Sequence, residues 1–130
     1  MIRNESDMFV LDTHCDTPSQ ILRLRDLSKD NHHAHVDFPK LRRGGVDGVF
    51  FALYVPSSLD SDSDKAFEYA CRLLSGVEKA VGDNCDAAAL VRTSAEAYAN
   101  KEQNKISVFL GLENGAPIGY YVGRLKFFYN

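Results

Sequence analysis

Short apolar runs alternate with amphipathic stretches along this chain, and several runs end abruptly in polar residues. Residues 8–13 contain Phe9-Val10-Leu11, a run too brief for a helix, and read as a buried strand. Pro18 then permits a helix start, and the stretch SQILRLRDL offers Ile21, Leu22 and Leu24 as expected core contacts. The polar segment SKDNHHAHVD breaks any helical pattern and reads as loop. FPKLRRGG reads as one or two helical turns, opened by Pro39 and closed by Gly44-Gly45. VDGVFFALYV, residues 46–55, is rich in Val and Phe and bounded by Gly and Pro, which predicts a buried strand.

The loop PSSLDSDSD supplies several candidate N-caps. After it, Ala66, Phe67, Ala70, Leu73, Leu74, Val77 and Val81 recur at helical spacing, and Gly82 ends this amphipathic helix. AAALVRT reads as a weak strand. Thr93-Ser94-Ala95-Glu96 has the capping-box pattern, in which side chain and backbone satisfy each other's open donors, so a short helix is expected to about Gln103. ISVFLGLE, residues 106–113, is another buried strand and ends in a carboxylate. NGAPIG turns the chain, and Ile118, Tyr121, Val122, Leu125, Phe128 and Tyr129 mark a final helix. Strands alternating with helices predict an α/β fold with a mainly parallel sheet. Strands that run apolar without interruption fit such a sheet, because both of their faces are covered.

Composition narrows the function classes. At 130 residues and 45% hydrophobic the chain suffices for about one domain with a core. Lys+Arg 15 against Asp+Glu 18 leaves a formal charge of −3, so the basic excess of a nucleic-acid binder is missing. No apolar run approaches the ~18 residues of a membrane span. The opening MIRNESDMF lacks the apolar stretch of a signal peptide, and on these grounds the chain reads as cytoplasmic. Cys15, Cys71 and Cys85 are odd in number and form no CxxC pair, which argues against a disulfide framework.

The chemistry sits where strands end. The first strand runs into His14-Cys15-Asp16 and the last ends in Glu113; in parallel α/β architectures functional groups gather at such C-terminal ends. Strand alternation points His14 and Asp16 one way and Cys15 the other. One imidazole and two carboxylates, without thiolate, suit a hydrolytic zinc or a similar divalent metal. An HxD pair alone is weak, since polar residues at strand ends are commonly turns and caps. Its weight comes from Glu113 occupying a matching position. Asp12 is expected to accept backbone hydrogen bonds or orient the metal loop rather than bind metal. His32, His33 and His35 read as a solvated loop ahead of a second metal site, and KLRRGG as a helix end with paired charges ahead of a phosphate cradle.

LDTHCDTP resembles the opening metal motif of the membrane dipeptidase (renal dipeptidase-like) family. HVDFPKLRRGGVDGVFFALYVP resembles the segment leading into that family's second barrel strand, and VFLGLENGAPIG the strand that delivers its bridging glutamate. The motifs lie in family order and touch most of the chain. The resemblance implies a (β/α)8 barrel metallopeptidase with a two-zinc centre, hydrolysing dipeptides and often tolerating a D-residue on the C-terminal side. It implies that His14 and Asp16 bind one zinc, that Glu113 bridges both, and that a metal-bound hydroxide attacks the scissile carbonyl.

The match is partial. Such a barrel needs about 250 residues, and the family carries further histidine ligands and an assisting aspartate on later strands. None of His32, His33 or His35 matches a family ligand position. The expected fold is therefore a partial (β/α)8 TIM barrel: roughly the first three βα units plus a small peripheral strand, as a single incomplete domain over residues 1–130. The expected function is that of the N-terminal part of a zinc-dependent dipeptidase, inactive alone, with a dipeptide and a divalent metal as partners. Its open sheet edges are expected to drive self-association. Two other readings remain: a non-catalytic α/β interaction or regulatory module on the same scaffold, and another barrel metallohydrolase. Amidohydrolase-type sites usually open with HxH, and HxD at residues 14–16 argues against that type.

Overall fold

The protein's structure is a computed structural model and describes residues 8–130. Strands β1 (Leu11–Cys15), β2 (Gly48–Tyr54), β3 (Ala88–Leu90) and β4 (Ile106–Glu113) form one parallel sheet in the order β1-β2-β4-β3. Parallel neighbours need a crossover connection. Here α1 (Pro18–Ile21) and α2 (Phe38–Arg43) lie between β1 and β2, α3 (Ser63–Gly82) between β2 and β3, and α4 (Ser94–Glu102) between β3 and β4. Helix α5 (Val122–Tyr129) follows β4. The α/β class with a parallel sheet expected from the sequence is the class observed. The peripheral strand is β3, which pairs only with the first residues of β4, Ile106 to Val108.

The β2–β4 register, Gly48 with Ser107 through Tyr54 with Glu113, sorts the side chains. Val49, Phe51 and Leu53, with Ile106 and Val108, join Leu73, Val77 and Val81 of α3 in the main core. The alternate positions face the other way. There Phe50 and Phe109 stack with ring centroids 4.7 Å apart. In β2 and β4 the apolar runs are continuous because one face packs on α3 and the other carries this aromatic pair.

The lower, N-terminal end of this second face is closed. Asn100 Nδ2 of α4 donates to Ser107 Oγ at 3.2 Å, and the hydroxyl donates to Ala97 O. A side chain at Gly48 would begin 3.0 Å from the Phe9 ring and 3.1 Å from Leu11, so β2 passes close under them and a larger residue would push those side chains aside. The upper end, where Glu113 lies, stays open. The expectation of complete cover on both faces is thus met on the α3 side and only at the lower end on the other.

Local chemistry sets the helix bounds. Thr93 Oγ1 accepts from Glu96 N while Glu96 accepts from Thr93 N, the reciprocal cap read in the sequence. Asp37, fully buried, caps α2 by accepting from Lys40 N. Helix α3 buries Ala66, Ala70, Leu73, Val77 and Val81, five of the seven positions its spacing predicts; Phe67 and Leu74 are half-buried.

Three expectations change. Strand β1 begins at Leu11 rather than residue 8, continues through Cys15, and is largely exposed rather than buried, with Val10 and Leu11 both open to solvent. Helix α1 stops after Ile21, because Leu24 adopts φ 65° and the chain turns; Leu24 is 94% exposed and makes no core contact. Helix α5 buries no residue; it rests on α3 through Phe127 and Phe128, edge-on to Phe67.

Candidate metal centre

The approach to His14 is irregular. Leu11 and Asp12 align with Gly48 and Val49, but it is Cys15 that aligns with Phe51, so β1 carries one extra residue around Thr13-His14. Such a bulge bends a strand and re-aims its side chains. It also takes a backbone amide out of the ladder, and here His14 N donates to Asp12 Oδ1 at 3.1 Å. Asp12 therefore has the backbone-accepting role expected of it. Beyond the bulge the alternation resumes. Cys15 packs on the main core, with Sγ 3.0 Å from Thr17 Oγ1, whereas His14 and Asp16 are exposed.

Glu113 is held from the opposite side of β2. Its carbonyl accepts from Val55 N at 3.1 Å. Asn114 follows in the left-handed region at φ 87°, which Asn tolerates better than most residues. Its Nδ2 donates to Val55 O at 3.0 Å and to Asp60 Oδ1 at 2.6 Å, and its Oδ1 accepts from Ala116 N at 2.9 Å. These bonds tie the end of β4 to the end of β2. Sequence reasoning read Asn114-Gly115 only as a turn; the dipeptide signals one, but not what the amide holds.

His14, Asp16 and Glu113 come together. His14 Nε2 lies 3.3 Å from Asp16 Oδ1 and 3.4 Å from Glu113 Oε2, and one donor atom from each residue lies within 4.8 Å of the other two. Donors about 2.1 Å from a tetrahedral zinc stand roughly 3.4 Å from each other. The two closest spacings match those edges, so this donor set fits a divalent cation. Two carboxylates so close repel, and a cation between them removes that repulsion. His14 and Glu113 also line a cleft of about 420 Å³, floored by Phe50, Ala52 and Gly111. The cluster is therefore accessible from the open end of the sheet.

Other polar features have structural roles. His32, His33 and His35 are exposed, and among the described residues His14, Asp16 and Glu113 are the one group of ligating side chains at metal distances. In KLRRGG, Lys40 pairs with Asp30 and Asp37, and Arg43 pairs with Asp30 at 2.8 Å. Burial pushes the Cys71 thiol pKa up, as for an inert core thiol, and Cys85 is exposed.

Fold and site together define a class: an α/β protein of barrel type with an imidazole-carboxylate donor set at the C-terminal end of its parallel sheet. Residues 3–130 match the family model described as membrane dipeptidase (peptidase family M19), and the chain belongs to that family. A solved dipeptidase AC, a metallopeptidase of the same family, is similar with TM-score 0.83 and 24% identity, over 94% of this chain and 40% of its own. A metallopeptidase from Rhodobacter sphaeroides, solved with a phosphinate mimic of the dipeptide L-Ala-D-Ala, gives TM-score 0.83 and 22% identity, over 94% and 42%. The probable dipeptidase PvdM from Pseudomonas aeruginosa gives TM-score 0.73 at 13% identity, over 94% and 32%. The chain thus spans about two-fifths or less of the length of these solved relatives. No helix among the described residues is long and apolar enough to cross a membrane.

Proposed function

We propose that this chain contributes the first ligands of a zinc-dependent dipeptidase centre. His14 and Asp16 would hold a cation, and Glu113, with two carboxylate oxygens, would add a donor to it and could serve a second. One observation carries this reading: three donor atoms from the ends of two non-adjacent strands converge within 4.8 Å. The family membership and a relative solved with a dipeptide mimic support hydrolysis of a dipeptide amide bond.

Bound zinc would polarise the scissile carbonyl and lower the pKa of water. The chain's residues do the positioning. Asp12 fixes the His14 backbone, Asn114 fixes the strand end bearing Glu113, and Phe50, stacked on Phe109, gives the cleft an apolar floor. A two-zinc site needs more donors than these three residues supply. The chain alone is therefore expected to bind zinc without turning over dipeptides.

Competition with a chromogenic chelator tests the reading. One tight zinc site is expected, weakened by more than about a hundredfold in each of His14→Ala, Asp16→Asn and Glu113→Gln. Unchanged zinc affinity in all three would falsify it and favour the non-catalytic module.

A further inference from the structure

The metal cluster spans a strand that supplies none of its three donors. Strand β2 lies between β1 and β4. Neighbouring strands stand about 4.8 Å apart, so β1 and β4 run roughly 10 Å from each other. Yet His14 Nε2 from β1 lies 3.4 Å from Glu113 Oε2 from β4. The two side chains therefore reach toward each other across β2, and the group that β2 carries beneath them decides whether they can meet.

Register identifies that group. Cys15 aligns with Phe51, so Asp16 follows at the level of Ala52, and Ala52 aligns with Gly111. Phe51 and Leu53 belong to the main core, which turns Ala52 to the opposite face, and there it lines the cleft with His14 and Glu113. On this face β2 presents Phe50, Ala52 and Tyr54, paired in turn with Phe109, Gly111 and Glu113 of β4. The layers run large, small, polar. The small layer separates the stacked rings from the carboxylate and gives the cleft its room.

Its two members are not equivalent. A side chain begun at Gly111 would meet nothing within 4 Å, so that position opens on the free part of the cleft. Ala52 is only 6% exposed, although it lies outside the core that buries Phe51 and Leu53. What covers its methyl group lies on the cleft side of the sheet. Metal ligands must meet their distances within about 0.2 Å, so a bulkier group under the arch would hold the donors apart.

Resting on the metal reading above, we infer that Ala52 is a positioning residue of this centre: a spacer whose small side chain lets His14 and Glu113 close over β2 onto one cation. The requirement is for room, not for strength of the strand. It separates affinity from stability, because valine favours a strand and glycine weakens one. Valine is tolerated in the metal-free chain, where His14 and Glu113 are exposed and free to swing aside.

Chelator competition and urea unfolding on the same variants test it. Zinc affinity is expected to follow side-chain size: Ala52→Gly at the wild-type level, Ala52→Ser below it, and Ala52→Val weaker by more than about tenfold. Urea stability is expected to run the other way, with Ala52→Gly lowest and Ala52→Val at or above wild type. Ala52→Ser keeps the size order readable should Ala52→Val not fold. Affinity that follows stability instead, with Ala52→Gly the weakest binder, is what a scaffold role would give and overturns the inference. Wild-type affinity in Ala52→Val overturns it as well. Failure of the metal reading is separate, because it appears as zinc affinity indifferent to His14→Ala and Glu113→Gln.

Discussion

Single residues hold this site by replacing strand hydrogen bonds with side-chain bonds. Asp12 accepts the amide that the bulge frees, at 3.1 Å. Removing an outer group of this kind typically lowers metal affinity 10–100-fold, so Asp12→Ala is expected to weaken zinc by about tenfold without unfolding the chain. Wild-type affinity by chelator competition would show that the bulge holds itself. Asn114 combines φ 87° with bonds to Val55, Asp60 and Ala116. Asn114→Gly keeps the conformation and loses the bonds, while Asn114→Val loses both. The expected order of stability in urea is wild type, Gly, Val, with Val lower by about 3 kcal/mol. Asp37 is the buried acid to watch. Burial raises its pKa, but the Lys40 ammonium and the Asn31 and Lys40 amides outweigh that and hold it below 3.8. A depressed folded pKa means stability is present above the unfolded value and lost as pH falls through the folded one. The chain should therefore be least stable in acid, and Asp37→Asn should flatten that dependence while costing about 3 kcal/mol near neutral pH.

Elements were legible in the sequence where one physical signal dominated. Strand β4 runs over the same residues, 106–113, that its apolar run marks, and α4 starts at the cap that Thr93 and Glu96 announce. Helix α3 shows its buried stripe through spacing alone. The fold class followed from the alternation of such elements, and the His14, Asp16, Glu113 grouping from their ends. What escaped was geometry that a local pattern does not encode. The bulge in β1 depends on register against β2, and no spacing in LDTHC betrays it. Leu24 looked like core because its neighbours Ile21 and Leu22 are; one left-handed residue turned it outward. Asn114 gave only a turn signal because its partners, Val55 and Asp60, are remote in sequence. The capping box itself is open to test: Thr93→Ala should cost about 1 kcal/mol by thermal or urea unfolding. A change below a few tenths would mean that packing of α4 on Ser107, not the cap, fixes this helix.

For the molecule as a whole, the sheet is open at both sides. Among the described residues β1 is unpaired on one flank, and β3 covers β4 only as far as Val108. Open sheet edges and uncovered apolar faces generally invite pairing with another chain. Light scattering is expected to show self-association at micromolar concentration, and a monodisperse monomer there would rule it out. The strand order also has a consequence in time. Of these four strands β4 is made last, yet it sits between β2 and β3, so both must wait for it. Pairings between distant parts of a chain close slowly, because loop entropy is lost before contacts form. His14 emerges before the rest of the sheet and gains Glu113 as a neighbour only when β4 inserts. Zinc capture should then lag behind helix formation when this chain refolds and report on the insertion of β4.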